Sequence, residues 1–374
     1  MSERGDPFNA GITWLDEPLR RSEDGPLAGR TLLVKDLIDT AGVRTTYGSQ
    51  VYADHVPTRN ATVVDRLLDA GAVVLGKANL AEFAWGVLGT NEWYGTVHNP
   101  VRPGLTTGGS SSGNAAAIAG GLCDLGIGTD TGCSVRLPAA ACELVGLKTR
   151  HGTIPIDGVF PLCPSFDTVG PLARSVGDAA ALWSVLAGRP VPEPRLSGLT
   201  VGLLRRAPNL ADGRETERSD AAEAWVERLE SLGARVVEAE VPGPPADTWP
   251  VFLHEAARSH AETFPARADE YGRVIRAKLD AAQRVEMDSV TEGYRSLLAW
   301  RRLVPEVDLY VSPCVAIDWP PEDVDELDVR LPLSSFLRWV NLLGWAGLAI
   351  GNLQLVAPAN ETVLAAGLAW ERGG

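Results

Sequence analysis

The sequence predicts an α/β fold, a single large domain in which a mixed β-sheet is covered by helices on both faces. Short apolar runs alternate along the 374 residues with helical patterns, which is typical of such sheets. The hydrophobic fraction of 45% and the charged fraction of 22% are those of an ordinary globular protein. Residues 107–121 and 128–138 are the exception, because core packing does not explain their density of Gly and hydroxyl residues. This stretch is therefore predicted to build a reaction centre from serine hydroxyls and main-chain N–H groups.

In the first half of the chain, an irregular lead-in rich in Pro, Gly and charge is expected over residues 1–30. Apolar runs predict strands at residues 31–34, 73–75, 125–128 and 144–148. Helices are predicted at residues 61–70, 80–85, 114–119, 137–142 and 176–186. Asn60, Asn79 and Ser175 stand where the caps of the first, second and last of these helices belong. The strand at 31–34 delivers Lys35 at its end.

The second half changes in character after residue 199 and contains long helical patterns. Strands are predicted at residues 199–203, 236–239, 308–311 and 353–356. Helices are predicted at residues 221–232, through 249–304, at 336–343 and at 360–370. The acidic run at 320–328 is expected to be a solvated loop.

Charge and cysteine content exclude several classes of partner. A formal net charge of −14 argues against nucleic acid, whose binding proteins carry a basic footprint. The five cysteines form no CxxC pair, so neither a disulfide framework nor a zinc site is expected. The N-terminus lacks the pattern of a signal peptide, and no apolar run approaches the ~20 residues of a membrane span. The protein is therefore expected to be cytoplasmic, with no membrane partner, no metal and no cofactor.

Several chemistries could use the Gly/Ser stretch. A phosphate-binding loop is disfavoured because no GxxxxGK[ST] motif is present. Residues 109–113 match G-x-S-x-G with Ser111 as the nucleophile, but residues 103–107 before them do not form the required strand, and only His151 lies just after the block. Cys133 could act with a Glu and a Lys, although buried cysteine is more often a small apolar residue.

Ser-Lys catalysis is the remaining alternative. A serine hydroxyl needs a base, and a lysine can be that base when burial lowers its pKa toward neutrality. The chain contains four lysines, Lys35, Lys77, Lys148 and Lys278. Lys35 best fits a buried amine because it emerges from an apolar strand, although a lysine at a strand end commonly reaches solvent. The residues alone leave these alternatives open.

An ordered set of segments resembles one family. It comprises the lysine segment 33–42, segments 60–64 and 76–83, the two serine loops 108–113 and 128–134, and segments 145–149 and 167–171. Together they closely resemble the amidase signature family of serine amide hydrolases. The similarity is strong over about residues 28–190, the expected catalytic core, and looser over about 197–318, an expected variable helical part of the same 1–374 domain.

The resemblance implies a catalytic triad of Ser134, Ser110 and Lys35. Ser134 is the expected nucleophile, Ser110 follows a cis peptide bond and relays protons, and neutral Lys35 is the general base. The expected oxyanion hole consists of the main-chain N–H groups of Thr131, Gly132, Cys133 and Ser134. Ser111, Asp130 and Arg136 are expected to support these groups through hydrogen bonds.

Two residues depart from the family pattern within these loops. Ser112 and Cys133 stand where glycine is usual. Ser112 is expected to restrict the backbone, and Cys133 to trim the pocket or make the enzyme sensitive to thiol reagents. A loop and hairpin usual between segments 346–351 and 353–358 is also missing.

The expected function is hydrolysis of a small-molecule amide by a free-standing amidase, with a homodimer left open. The alternatives are the glutaminase subunit of a tRNA-dependent amidotransferase, which works with a partner subunit, and a non-catalytic family member. The substrate is not readable, but the pocket walls are expected from residues 85–93, 160–165 and the helices after Trp249.

Overall fold

Eleven strands form one mixed sheet in the computed structural model, which describes residues 5–208, 222–246 and 248–373. The strands are β1 Gly11–Leu19, β2 Thr31–Lys35, β3 Val73–Ala78, β4 Leu125–Thr129, β5 Val145–Lys148, β6 Val169–Ala173, β7 Thr200–Leu203, β8 Arg235–Glu238, β9 Leu309–Pro313, β10 Ala346–Ile350 and β11 Leu353–Ala357. Their order across the sheet is β1-β3-β2-β4-β6-β5-β10-β11-β9-β7-β8. The pairs β2–β3, β2–β4, β7–β8 and β7–β9 are parallel and the others antiparallel, so the predicted mixed sheet is confirmed.

Helices cover both faces of this sheet. They are α1 Thr62–Asp69, α2 Ser112–Ala119, α3 Arg136–Ala141, α4 Val176–Ala187, α5 Ala222–Ser231, α6 Thr248–Ser259, α7 Arg273–Ala282, α8 Met287–Trp300, α9 Glu326–Ser334, α10 Arg338–Leu343 and α11 Asn360–Arg372. Successive side chains of β2 point to opposite faces, so Leu32 and Val34 join the core beneath α1, α4 and α11. Leu33 joins the core beneath α2 and α3. Among the described residues, no helix is long and apolar enough to cross a membrane.

The prediction for the N-terminal segment was wrong. Residues 11–19 form β1, which pairs antiparallel with β3 at the edge of the sheet. Its residues are intermediate or exposed rather than buried, so the segment lacks the apolar run that marks a central strand.

Two of the predicted helix caps were also wrong, whereas the third is confirmed. Asn60 does not cap α1; its amide donates to Asp65 and its carbonyl accepts from the main chain of Ala41. No α-helix follows Asn79, because the left-handed residues Phe83 (φ 50°) and Ala84 (φ 59°) reduce the segment to a single 3₁₀ turn. Ser175 caps α4 by accepting from the Asp178 N–H.

In the second half, the predicted strands and helices are present with shifted ends, but β10 was not predicted, and the helical pattern predicted through residues 249–304 is divided into α6, α7 and α8. The acidic run does not remain a loop throughout, because α9 begins at Glu326 behind the cap Asp325. The helix predicted from residue 221 begins at Ala222, and residue 221 itself lies outside the described residues. Strands β10 and β11 are joined by Gly351 and Asn352, in agreement with the expected lack of a longer loop and hairpin at this point.

Candidate active site

Lys35 lies at the end of β2 and is completely buried. Its Nζ is 2.8 Å from Ser110 Oγ, 2.9 Å from Ser111 Oγ and 2.8 Å from Thr129 Oγ1. Burial lowers the pKa of Lys35 to about 7, against the opposing attraction of Asp130 and Asp167. A large fraction of Lys35 is therefore neutral near pH 7, and its neighbours are three hydroxyl groups rather than a carboxylate.

The loop that carries Ser110 fits tightly against its surroundings. The Gly109–Ser110 peptide bond is cis. A Cβ on Gly109 would lie 2.3 Å from the carbonyl oxygen of Leu88, so only glycine fits there. The N–H of Ser111 donates to the carbonyl of Ser134 at 3.2 Å, which joins this loop to the second one.

The second loop curls around the carboxylate of Asp130. Asp130 Oδ2 accepts the main-chain N–H groups of Val135 (3.1 Å) and Arg136 (3.3 Å). The four preceding N–H groups remain without an acceptor among the described residues, and they belong to Thr131, Gly132, Cys133 and Ser134. A turn with several free N–H groups is suited to bind a negatively charged oxygen.

Arg136 and Asp130 form a buried ion pair beneath this loop. Arg136 Nη2 lies 3.0 Å from Asp130 Oδ1, and both side chains have no exposed surface. Although burial alone would raise the pKa of Asp130, Arg136 lowers it to about 2. The remaining donors of Arg136 reach Gln354 Oε1 at 2.7 Å and Asn341 Oδ1 at 2.6 Å. The ion pair is therefore fully hydrogen-bonded, as a buried pair must be to persist.

Three residues of the site were not predicted from the sequence: Asn341, Gln354 and Asp167. Asn341 donates to both the carboxylate and the carbonyl of Asp130. Asp167 accepts from the Thr131 hydroxyl at 2.5 Å and from two main-chain N–H groups. Asp167 lies within the recognised segment 167–171, so its position signalled a role, whereas Asn341 and Gln354 come from α10 and β11 and carried no local signal.

Lys35, Lys77 and Lys148 are completely buried and Lys278 is half-buried, so burial alone does not single out Lys35. Burial lowers the pKa of Lys148 to about 7 and that of Lys77 to about 8. Lys148 donates to two main-chain carbonyls, and Lys77 contacts Thr45 and lies 3.7 Å from Asp36. Lys278 is paired with Glu326 at 3.0 Å. What distinguishes Lys35 is its contact with the serine loops.

Ser134 opens onto a cavity of about 300 Å³, here called the Ser134 cavity. Its volume is at the lower end of the range for small-molecule sites. The walls include Trp85, Val87, Thr131, Gly132, Cys133, Leu162, Phe166, Trp249, Phe252, Lys278, Glu326, Arg330 and Arg338. The segments near Trp85, Leu162 and Trp249 were expected, whereas the arginines of α9 and α10 were not. Within the described residues, no cluster of three metal-ligating side chains is formed.

The expectations for Ser134, Cys133 and Ser112 in or beside the loops have mixed outcomes. The Ser134 hydroxyl forms no hydrogen bond with Ser110 among the described residues, so only the Lys35–Ser110 step of the expected relay is present as a contact. Cys133 is buried beside Ser134, and burial raises the pKa of its thiol to about 12. This argues against sensitivity to thiol reagents, because the thiolate is the reactive form. Ser112 begins α2, and its buried hydroxyl has no partner among the described residues.

The sequence matches one family model and several curated proteins. The family model described as Amidase matches residues 14–363. A glutamyl-tRNA(Gln) amidotransferase subunit of Natronomonas pharaonis is 40% identical over 279 residues, which are 70% of this chain and 64% of that protein. This chain thus spans less than two thirds of that protein's length. The subunit of the same name in Halobacterium salinarum is 34% identical over 369 residues and 86% of each chain.

A solved structure agrees with the fold. The crystal structure of an amidase matches this chain with a TM-score of 0.83 and 30% sequence identity. The match covers 93% of this chain and 85% of that one.

Proposed function

The chain belongs to the amidase family, and on that premise we propose that it hydrolyses amides through an acyl-enzyme on Ser134. One observation carries the proposal. The buried amine of Lys35 contacts Ser110, and the loop of Ser110 is hydrogen-bonded to the turn at residues 131–134, which contains Ser134 and four free N–H groups. The family match and the solved amidase support an amidase-type enzyme that acts on a carbon–nitrogen bond.

Lys35 is the proposed general base. A neutral amine donates two N–H groups and accepts one hydrogen bond, so the three hydroxyls around Nζ can include one donor. The Ser111 hydroxyl already donates to the main-chain carbonyl of Thr129 at 3.4 Å, and of the two remaining hydroxyls we assign the donor to Ser110, because its loop is hydrogen-bonded to that of Ser134. A pKa of about 7 lets Lys35 both take up and return a proton near neutral pH.

The reaction then proceeds in two halves. Lys35 takes the proton of Ser110 as Ser110 takes that of Ser134, and Ser134 Oγ bonds to the amide carbon. The N–H groups of residues 131–134 bind the resulting oxyanion. The carbon–nitrogen bond breaks as the proton returns through Ser110 to the departing nitrogen, which leaves as ammonia or an amine. Water, deprotonated along the same path, bonds to the ester carbon; the ester bond then breaks, the proton passes back to Ser134 Oγ, and the carboxylic acid is released.

The lack of a hydrogen bond between Ser110 and Ser134 among the described residues is compatible with these reaction steps. Such bonds often tighten only when substrate is bound. The main-chain hydrogen bond from Ser111 to Ser134 keeps the two loops adjacent, and we propose that a change of side-chain rotamer at Ser110 or Ser134 forms the contact.

A second candidate is the glutaminase subunit of a tRNA-dependent amidotransferase. The names of the Natronomonas and Halobacterium relatives favour it. This function predicts glutamine as the preferred amide and a partner subunit that co-purifies with the chain. If the chain is instead a free-standing amidase, the isolated chain should hydrolyse amides without a partner subunit. A non-catalytic role is disfavoured because Lys35, Ser110 and Ser134 are all present.

The test is Ser134→Ala, with ammonia or amine release measured on aliphatic amides, aryl amides and glutamine. Loss of the nucleophile should lower kcat roughly 10⁴- to 10⁶-fold while the fold stays intact. The wild-type enzyme, quenched during turnover, should carry the acyl group on the peptide that contains Ser134. Ser112→Ala is the matched control, since it removes another buried serine hydroxyl of the same region. Near wild-type activity in Ser134→Ala would falsify the assignment.

A further inference from the structure

Two arginines of the Ser134 cavity flank one indole ring. The guanidinium carbons of Arg330 and Arg338 each lie 5.5 Å from the ring centre of Trp249. Both side chains line the same cavity as Ser134, and Trp249 stacks in turn on Phe252 with an interplanar angle of 6°. The stacking fixes where two positive charges lie, but an indole ring does not neutralise them.

Neither arginine has an acidic partner among the described residues. The ion pairs within the described part of the chain include no carboxylate within 4.0 Å of Arg330 or Arg338. Burial, together with repulsion by Arg330, lowers the pKa of Arg338 to about 10. Arg338 is nevertheless charged at neutral pH, so the cavity contains a partly desolvated and unpaired cation. Such a charge is costly unless an anion binds to it.

The other ionisable groups of the cavity do not supply that anion. Glu326 is its one carboxylate among the described residues, and it is paired with Lys278 at 3.0 Å. Cys133, the nearest thiol to Ser134 in sequence, is protonated because burial raises its pKa to about 12. The described walls of the cavity therefore carry a net positive charge beside an apolar surface of Trp and Phe side chains.

We propose that the Ser134 cavity selects amides that carry a carboxylate at the end remote from the scissile bond. The carboxylate binds the guanidinium of Arg338, with Arg330 adding to the positive field, while apolar atoms between the two groups lie against Trp249 and Phe252. A guanidinium matches the two oxygens of a carboxylate, which makes arginine specific for this group. The inference rests on the proposed function and narrows its substrate class to small monoamides of dicarboxylic acids.

The same wall disfavours a free ammonium group on the substrate. Its one described carboxylate is already occupied by Lys278, and the two arginines would repel a second cation. Glutaramate, which is glutamine without its amino group, should therefore be a better substrate than glutamine. This separates the proposal from the glutaminase alternative.

The experiment compares glutaramate, glutamine and pentanamide, which have the same five-carbon acyl chain. For the wild-type enzyme, kcat/KM on glutaramate should exceed that on pentanamide by about 10- to 100-fold, the effect of one charge-assisted contact. Arg338→Met should reduce glutaramate turnover by a similar factor and leave pentanamide turnover nearly unchanged. Arg338→Lys keeps the charge and should retain part of the preference. Arg302→Met, at an exposed arginine outside the cavity, is the charge-matched control.

A binding measurement separates failure of this inference from failure of the proposed function. Tryptophan fluorescence measures the binding of glutaramate to two variants. Glutaramate should bind Ser134→Ala, and it should bind the Ser134→Ala/Arg338→Met double variant about 10- to 100-fold more weakly. If no amide is turned over but this difference is found, the anion site stands and the proposed function fails. Equal turnover of glutaramate and pentanamide by the wild type, or equal loss of both in Arg338→Met, would overturn the carboxylate site. A preference for glutamine over glutaramate would overturn the exclusion of the ammonium group.

Discussion

The serine loops, through residues 131–134, and the arginine wall both line the Ser134 cavity, but they differ in whether their charged groups have partners of opposite charge. In the serine loops, residues 108–113 and 128–134, Asp130 is paired with Arg136 and the neighbouring Lys35 is held by three hydroxyls. In the arginine wall, formed by Arg330 and Arg338, the charges have no acidic partner among the described residues.

This difference indicates a division of labour. A region whose buried charges are all paired or hydrogen-bonded keeps its geometry whichever substrate is present, which is what proton transfer and an oxyanion hole require. An unpaired cation has no anionic partner within the protein and can bind an anionic group of the substrate instead. Substitutions in the loops should therefore affect all amides alike, whereas those in the wall should change which amide is preferred.

The largest effect in this comparison is expected for Lys35→Met. Loss of the general base should lower kcat about 10²- to 10⁴-fold on every amide, charged or neutral. In the proposed mechanism Lys35 acts only when neutral, so kcat of the wild type should fall about tenfold per pH unit below its pKa of about 7 and level off above it. The pH dependence of kcat from about 5 to 9 measures this directly.

Lys148→Met is the matched control for Lys35. Burial lowers the pKa of Lys148 to about 7 as well, but among the described residues its amine donates hydrogen bonds only to main-chain carbonyls. The folded Lys148→Met protein should therefore keep the acidic limb of the pH profile. Loss of that limb in this variant, with its retention in Lys35→Met, would show that the titration belongs to Lys148 instead.

A smaller loss of activity, with a clear loss of stability, is expected for Asp130→Asn. The substitution leaves the buried Arg136 without its counter-ion, which should lower the free energy of unfolding by about 3–5 kcal/mol. The loop should lose its alignment, and kcat should fall about 10- to 100-fold. Because Asp130 raises the pKa of Lys35, its neutralisation should also move the acidic limb to lower pH.

Denaturant unfolding and the pH profile of kcat test both parts of this prediction. Asp65→Asn is the control, since its pair with Arg21 lies at the surface and should contribute no more than about 1 kcal/mol. An unfolding free energy of Asp130→Asn equal to that of Asp65→Asn would show that the buried pair stabilises the fold no more than a surface pair does.

The same contrast explains what the sequence could predict. The mixed sheet is predicted by local apolar runs. The grouping of Lys35 with Ser110 and the supporting hydrogen bonds of Asp130 and Arg136 are implied by the family resemblance of their short segments. Asn341, Gln354 and the two arginines carry no such pattern. They reach the site from the last third of the chain through packing of α9, α10 and β11, which no local signal encodes.

Local errors have a similar origin. The edge strand β1 escaped prediction because hydrogen bonds to β3, rather than an apolar run, hold it in place. The helix expected after Asn79 fails because Tyr47 accepts the N–H of Phe83, and the backbone there turns through two left-handed residues. In both places tertiary contacts override the local preference.

The smallest effect is expected for Cys133→Gly, which alters a loop residue that also lines the cavity. Its main-chain N–H stays in place, so kcat on small amides should change by no more than about threefold, whereas bulkier acyl groups should gain because the side chain no longer fills the cavity. Since burial raises the thiol pKa to about 12, iodoacetamide at neutral pH should leave wild-type activity intact. Rapid inactivation that Cys133→Gly abolishes would show instead that the thiol is reactive. If the variant retains activity but prefers a different acyl size, Cys133 contributes to substrate selection, as the arginine wall does, although it lies in a serine loop.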